Sequence, residues 1–225
     1  MEGGSKVKRL GLFLALLLVM QVSTVYAAFT DVLPTPNPGE ESLLGAGNVL
    51  DTLYGLGNLV RVDDTVDQWW KYCGGDTTNV EALVKYAGYN QNFGYIDDSN
   101  VFNSVVTVTG NGYTSDTASF TMADSGNPFR FADSAGGNLW SSYVYQNGDG
   151  FDHMVTWEIL DPKTQLPTCR YVIAFEDTFN GGDQDYNDLV LEVQGVRPTV
   201  VPEPATMFLL GSALFGLVGL RRRKA

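Results

Sequence analysis

Histidine, cysteine and basic residues are all scarce in this 225-residue chain. A single histidine, His153, and two cysteines, Cys73 and Cys169, with no Cys-x-x-Cys pair, argue against a zinc or thiol redox centre. No Ser or Cys nucleophile sits in a recognisable catalytic motif beside His153, so the histidine gives no sign of acid–base work. Fourteen Lys and Arg stand against 26 Asp and Glu, for a net charge of −12. Lys6, Lys8, Arg9 and the cluster Arg221, Arg222, Arg223 and Lys224 are half of the basic set, so the body between them is more acidic still. Such a body repels nucleic acid and anionic membrane and attracts divalent cations. No internal repeat is visible, and neither apolar run is of comfortable spanning length.

Those runs lie at the ends. Lys6, Lys8 and Arg9 precede an apolar run from Leu10 to Met20, and Val25-Tyr26-Ala27 offers a small-x-small cleavage pattern. Residues 1–27 therefore read as a secretory signal peptide, with an N-terminal anchor as the alternative. Residues 28–41 hold Pro34, Pro36 and Pro38 and few core residues, and read as a flexible leader. An exported chain folds in an oxidising compartment, which makes Cys73 and Cys169 candidates for a disulfide; two buried free thiols are the alternative.

Residues 42–196 read as one mainly β domain. One short helix is expected near its start, where Glu40 and Glu41 precede Leu43, Leu50 and Tyr54 on one helical face, weakened by Gly45 and Gly47. Short β-branched and aromatic segments then alternate with Gly, Asn, Asp and Ser clusters, the pattern of a β-sandwich or jelly roll. The aromatics suit a sandwich core, and Trp140 and Tyr143, close to turns, are the better candidates for an exposed sugar-stacking surface.

The stretch from Tyr171 to Val193 carries the most information. Tyr171, Ile173 and Phe175 share one face and Val172 and Ala174 the other, so this strand is expected to be buried on both sides. An acidic turn around Gly181-Gly182 follows, then Leu189 to Val193. Like charges this close disfavour one another, and a bound cation removes the cost. Ca2+ takes six to eight hard oxygen ligands. Asp177, Asp183, Asp185, Asn187 and Asp188 are the candidate ligands, with Asp149 and Asp152 as possible additions from the preceding Asn147–His153 segment. Asp183-x-Asp185-x-Asn187 matches the opening of an EF-hand loop, but Asp188 replaces its sharp-turn glycine and Gln194 its bidentate glutamate. A solvated acidic turn without a metal is the plain alternative.

After a linker at 197–205 comes an apolar segment at 206–220 and a basic end at 221–225. These read as a C-terminal transmembrane helix with a cytoplasmic tail, which leaves the acidic domain outside the inner membrane. Pro202-Glu203-Pro204, the apolar helix and the terminal Arg221, Arg222 and Arg223 resemble the PEP-CTERM sorting signal. That resemblance implies an exosortase-like processing enzyme as partner and an association with exopolysaccharide. Phe175-Glu176-Asp177 and the Gly181–Asp188 turn resemble the family called domain of unknown function 4114, found in exported, often calcium-associated bacterial surface proteins. The expectation is an exported, non-catalytic envelope or matrix protein; a secreted carbohydrate-active enzyme or a sugar-binding module is the alternative.

Overall fold

A computed structural model describes residues 29–35, 37–122 and 126–201. The expected signal peptide, sorting motif, transmembrane helix and basic tail lie outside these residues. Among the described residues no helix is long and apolar enough to cross a membrane.

The expected helix begins later than its apolar spacing implies. Gly45 and Gly47 adopt φ of 117° and 77°, incompatible with a helix, so only Val49–Tyr54 (α1) coils. Thirteen strands follow among the described residues: β1 (Leu59–Arg61), β2 (Trp70–Tyr72), β3 (Thr77–Lys85), β4 (Gln91–Ile96), β5 (Phe102–Val108), β6 (Gly112–Tyr113), β7 (Thr117–Thr121), β8 (Arg130–Ala135), β9 (Asn138–Ser141), β10 (Met154–Leu160), β11 (Pro167–Phe175), β12 (Leu189–Gln194) and β13 (Val196–Pro198). One sheet runs β1-β10-β11-β12-β3, with β6 and β7 both pairing along the far side of β3; a second runs β5-β4-β8-β9; β13 and β2 form a ribbon. Every pairing is antiparallel.

The two larger sheets enclose the main core. Phe93, Phe131 and Trp70 meet Tyr171, Ile173 and Phe175 there, with Trp70 centred 5.0 Å from Phe131 and 5.3 Å from Tyr171. The outer face of the larger sheet has a second core, in which Val172, Ala174 and Val190 are covered by Leu43, Val49 and Leu50. β11 is therefore buried on both faces, as its continuous apolar run implies. The fold is a β-sandwich with the N-terminal segment and α1 as a third layer.

That third layer changes the picture of residues 28–41. The described part of the segment has no helix or strand, but it is tied to the acidic turn. Leu33 N donates to Gln184 O (2.8 Å), Asn37 Nδ2 to Asp183 Oδ2 (3.0 Å), and Asn187 Nδ2 to Glu41 O (3.1 Å).

Candidate metal centre

The acidic turn joins β11 to β12 at one end of the sandwich. Glu176 N donates to His153 O (3.0 Å), which extends the β10–β11 ladder one rung beyond Phe175. Asp177 N then donates to Asp188 Oδ2 (2.8 Å), closing the mouth of the turn. Between these residues the backbone winds tightly, with φ of 62° at Asn180, 72° at Gly181, 44° at Gly182, 60° at Gln184 and 54° at Tyr186. The paired glycines are required by space as well as by φ. A Cβ on Gly181 would overlap the Phe151 ring, and one on Gly182 would overlap Oε1 of Glu176.

This path folds Asp183, Asp185 and Asp188 back towards the end of β11. Ligand oxygens of Glu176, Asp177 and Asp188 lie within 4.8 Å of one another, and so do those of Glu176, Asp183 and Asp185. Glu176 belongs to both groups, yet its position at a strand end, seven residues before Asp183, kept it off the sequence-based ligand set. Glu176 and Asp185 are each only 1% exposed, and Oε2 of the first and Oδ2 of the second have no hydrogen-bond partner. Burial, and then neighbouring acids, push the Glu176 carboxyl up to about 8 and the Asp188 carboxyl up to about 10. Asp177 is held by Gln91 Nε2 (2.6 Å) and Thr178 Oγ1 (3.1 Å). Asn187 spends its amide nitrogen on Glu41 and its backbone carbonyl on Tyr86 N. The donor set is hard oxygen throughout, which fits Ca2+ and not a soft metal.

Two neighbours add to the buried charge. Asp133 is fully buried beside the backbone N–H groups of Asn92 and Ser134, and burial followed by the Asp177 charge raises its pKa. Lys85 is also buried, its Nζ donating to Ala87 O (2.8 Å) and Asn111 Oδ1 (2.7 Å).

Asp149 and Asp152 share this edge of the sheet but fall outside both groups of carboxylates. Asp149 accepts from Phe151 N (2.9 Å), Asn180 N (2.6 Å) and His153 Nε2 (3.0 Å), so it pins the turn in place. His153 is buried, with Nδ1 2.7 Å from Glu176 O. Trp140 is not a surface residue. It is 2% exposed, stacks on His153 at 3.8 Å and 16°, and donates from Nε1 to Asp177 O (2.8 Å).

Asp152 instead faces a groove of about 490 Å³ walled by Phe29, Trp69, Tyr143 and Tyr145, with Asp64 beside it. Tyr143 does line an open surface, then, whereas Trp140 does not. Arg61 pairs with Asp64 at 2.7 Å, and Asp67 lies fully buried nearby. Burial, then the Asp64 charge, pushes the Asp152 carboxyl up to about 7. A carboxyl raised in the folded state is protonated there while the unfolded chain is still ionised. Stability therefore grows as pH falls from above that value towards the unfolded pKa of about 4. Urea unfolding in chelator should give a higher midpoint at pH 5.5 than at pH 8, and Asp152→Asn should reduce that difference. An unchanged difference in the variant would show that Asp152 is not responsible.

The family model described as Domain of unknown function (DUF4114) matches residues 56–196, more than half of the chain. The chain belongs to this family. The DUF4114 match ends just before a second one, the PEP-CTERM protein-sorting motif at residues 200–224, which implies export and exosortase processing. No curated protein matches the sequence. Among solved structures, a fucoside-bound lectin of Chromobacterium violaceum is 19% identical, with TM-score 0.38 over 60% of this chain and 98% of that one. The C-terminal domain of a Burkholderia cenocepacia lectin is 17% identical (TM-score 0.36, 63% and 100%). The high-affinity mannose-binding lectin of Ralstonia solanacearum is 18% identical (TM-score 0.36, 59% and 97%).

Proposed function

We propose that this DUF4114 protein is an exported, non-catalytic component of the envelope or extracellular matrix, whose acidic turn binds Ca2+ and works in contact with exopolysaccharide. One observation carries the calcium reading. Two nearly inaccessible carboxylate oxygens, on Glu176 and Asp185, lack any partner within a cluster made only of hard oxygen donors. A buried acceptor left unpaired costs about 1–3 kcal/mol, more when charged, and a cation supplies the missing interaction. The sorting motif at 200–224 supports the location, with the segment at 206–220 as a membrane anchor before or during processing. The acidity of the body favours cation-mediated contact with anionic glycans over direct contact.

Thermal unfolding in chelator and in millimolar calcium tests this reading. Calcium should raise the wild-type midpoint, equivalent to about 2.7 kcal/mol at a hundredfold excess over Kd. The Asp183→Ala/Asp185→Ala double variant, which loses two of the cluster's carboxylates, should show a smaller rise. Equal midpoints for wild type in both buffers would end the calcium reading.

A second reading, a sugar-binding module or glycan-active enzyme, is favoured by the Trp69–Tyr143–Tyr145 groove with Asp64 and Asp152 at its side. Aromatic faces stack on sugar rings and carboxylates accept from sugar hydroxyls. Calorimetric titration with neutral oligosaccharides would detect binding there, and release of reducing ends would separate an enzyme from a binding module.

A further inference from the structure

We propose that the acidic turn holds two Ca2+ ions rather than one, with Glu176 shared between them. This inference rests on the calcium reading above and extends it to stoichiometry and to the role of each carboxylate.

The geometry separates the carboxylates into two sets. A Ca2+–oxygen distance of about 2.3–2.6 Å means that two ligands of one ion lie at most about 5 Å apart. Glu176, Asp177 and Asp188 meet that limit together, and so do Glu176, Asp183 and Asp185. Among the described residues the five carboxylates do not form a single group within 4.8 Å; they form these two, with only Glu176 in common. A carboxylate has two oxygens and can bridge. Oε2 of Glu176 is buried without a partner, and Oε1 lies where Gly182, lacking a Cβ, leaves room. Charge leads to the same count. Five carboxylates around one divalent ion leave a surplus of about three negative charges in a half-buried turn, whereas two ions leave about one.

The two positions differ in how firmly their ligands are held. In the inner set, Asp177 is fixed by Gln91 Nε2 and Thr178 Oγ1, and Asp188 by Asp177 N. Such outer contacts orient ligands and raise affinity. In the outer set, Asp185 contributes the second unpartnered buried oxygen, Oδ2. Its neighbour Asp183 is partly exposed and accepts from Asn37 of the N-terminal segment (3.0 Å). The inner ion is therefore the tighter one, and the outer ion exchanges with solvent through Asp183.

The test counts metal on the full-length chain, stripped with chelator and re-equilibrated with calcium, by atomic emission and by calorimetric titration with calcium alone. Wild type should hold two ions per chain in two steps, Asp183→Asn one ion with the tighter step retained, and Glu176→Gln a loss of at least tenfold in affinity for both. Asp183→Asn changes an exposed side chain, so it reports even if Glu176→Gln fails to fold; circular dichroism identifies that failure. One ion in wild type would overturn the shared centre and leave the calcium reading intact, and none would overturn both. Two ions in Asp183→Asn would overturn the assignment of the outer site.

Discussion

Replacing both bridged cysteines, as Cys73→Ala/Cys169→Ala, should lower the unfolding free energy by about 4–5 kcal/mol, measured by urea denaturation. The structure joins the two as a disulfide across a sequence separation of 96, with Cα atoms 6.2 Å apart. Few links in a chain of this size close a longer loop, and loop length sets the entropy removed from the unfolded ensemble. The bridge also closes a structural seam. Cys73 N donates to Gly195 O (2.8 Å) and Gly195 N to Cys169 O (3.0 Å), so the β2–β13 ribbon is tied to the start of β11. Freeing the unfolded chain exposes more surface, and the slope of unfolding against urea should steepen as well. Calcium binding should survive the change. Cys169 and Glu176 lie at opposite ends of β11, about 20 Å apart along an extended strand. A loss below about 1 kcal/mol would mean that the seam is held by its hydrogen bonds and packing alone.

Much of this architecture is legible in the sequence because its periods are short. The alternation in Tyr171–Phe175 announces two buried faces, and two cores occupy them. Turn-forming clusters separate the longer strands, whereas β6 and β13, of two and three residues, are too short to show a period. Leu139 to Tyr145 reads as one strand but ends at Ser141, with a 3-10 turn at Val144–Gln146.

The site is only half legible. Asp183, Asp185 and Asp188 are recognisable as candidate ligands from their spacing alone. Glu176 is not, because its role depends on the chain doubling back through Gly181-Gly182. One signal was available: Glu176 continues the register of Val172 and Ala174, a face that is otherwise apolar. Asp152, a possible addition to the turn by sequence, lies outside both carboxylate groups for the converse reason. It stands near the turn in sequence and on the same sheet edge, but the approach of Thr30 and Asp64 turns it towards the groove. Proline content likewise hides the anchoring of the N-terminal segment, since Asn37 and Leu33 act through contacts with the distant residues Asp183 and Gln184.

Trp140 links stability to the site, and Trp140→Ala should lower stability by about 3–5 kcal/mol in chelator while also shrinking the increment that calcium adds. The packing loss follows from a buried indole that stacks on His153, in a core where little can collapse to fill the space. The effect on calcium follows from its second contact. Nε1 donates to the carbonyl of Asp177, the residue whose carboxylate belongs to the proposed inner ligand set, and Asp177 sits between Glu176 and the Asp188 clasp. Without the indole that backbone turns more freely, and the carboxylates must be ordered at the moment of binding. Trp140→Phe separates the two effects. It keeps most of the ring's burial and removes the donor, so it should cost about 1–2 kcal/mol in chelator and still weaken calcium binding. Urea unfolding of wild type and both variants, each in chelator and in calcium, gives the increments directly. A calcium increment equal to that of wild type in both variants would show that Trp140 only packs; a reduced increment in Trp140→Phe would show that one indole hydrogen bond helps set the geometry of the metal centre.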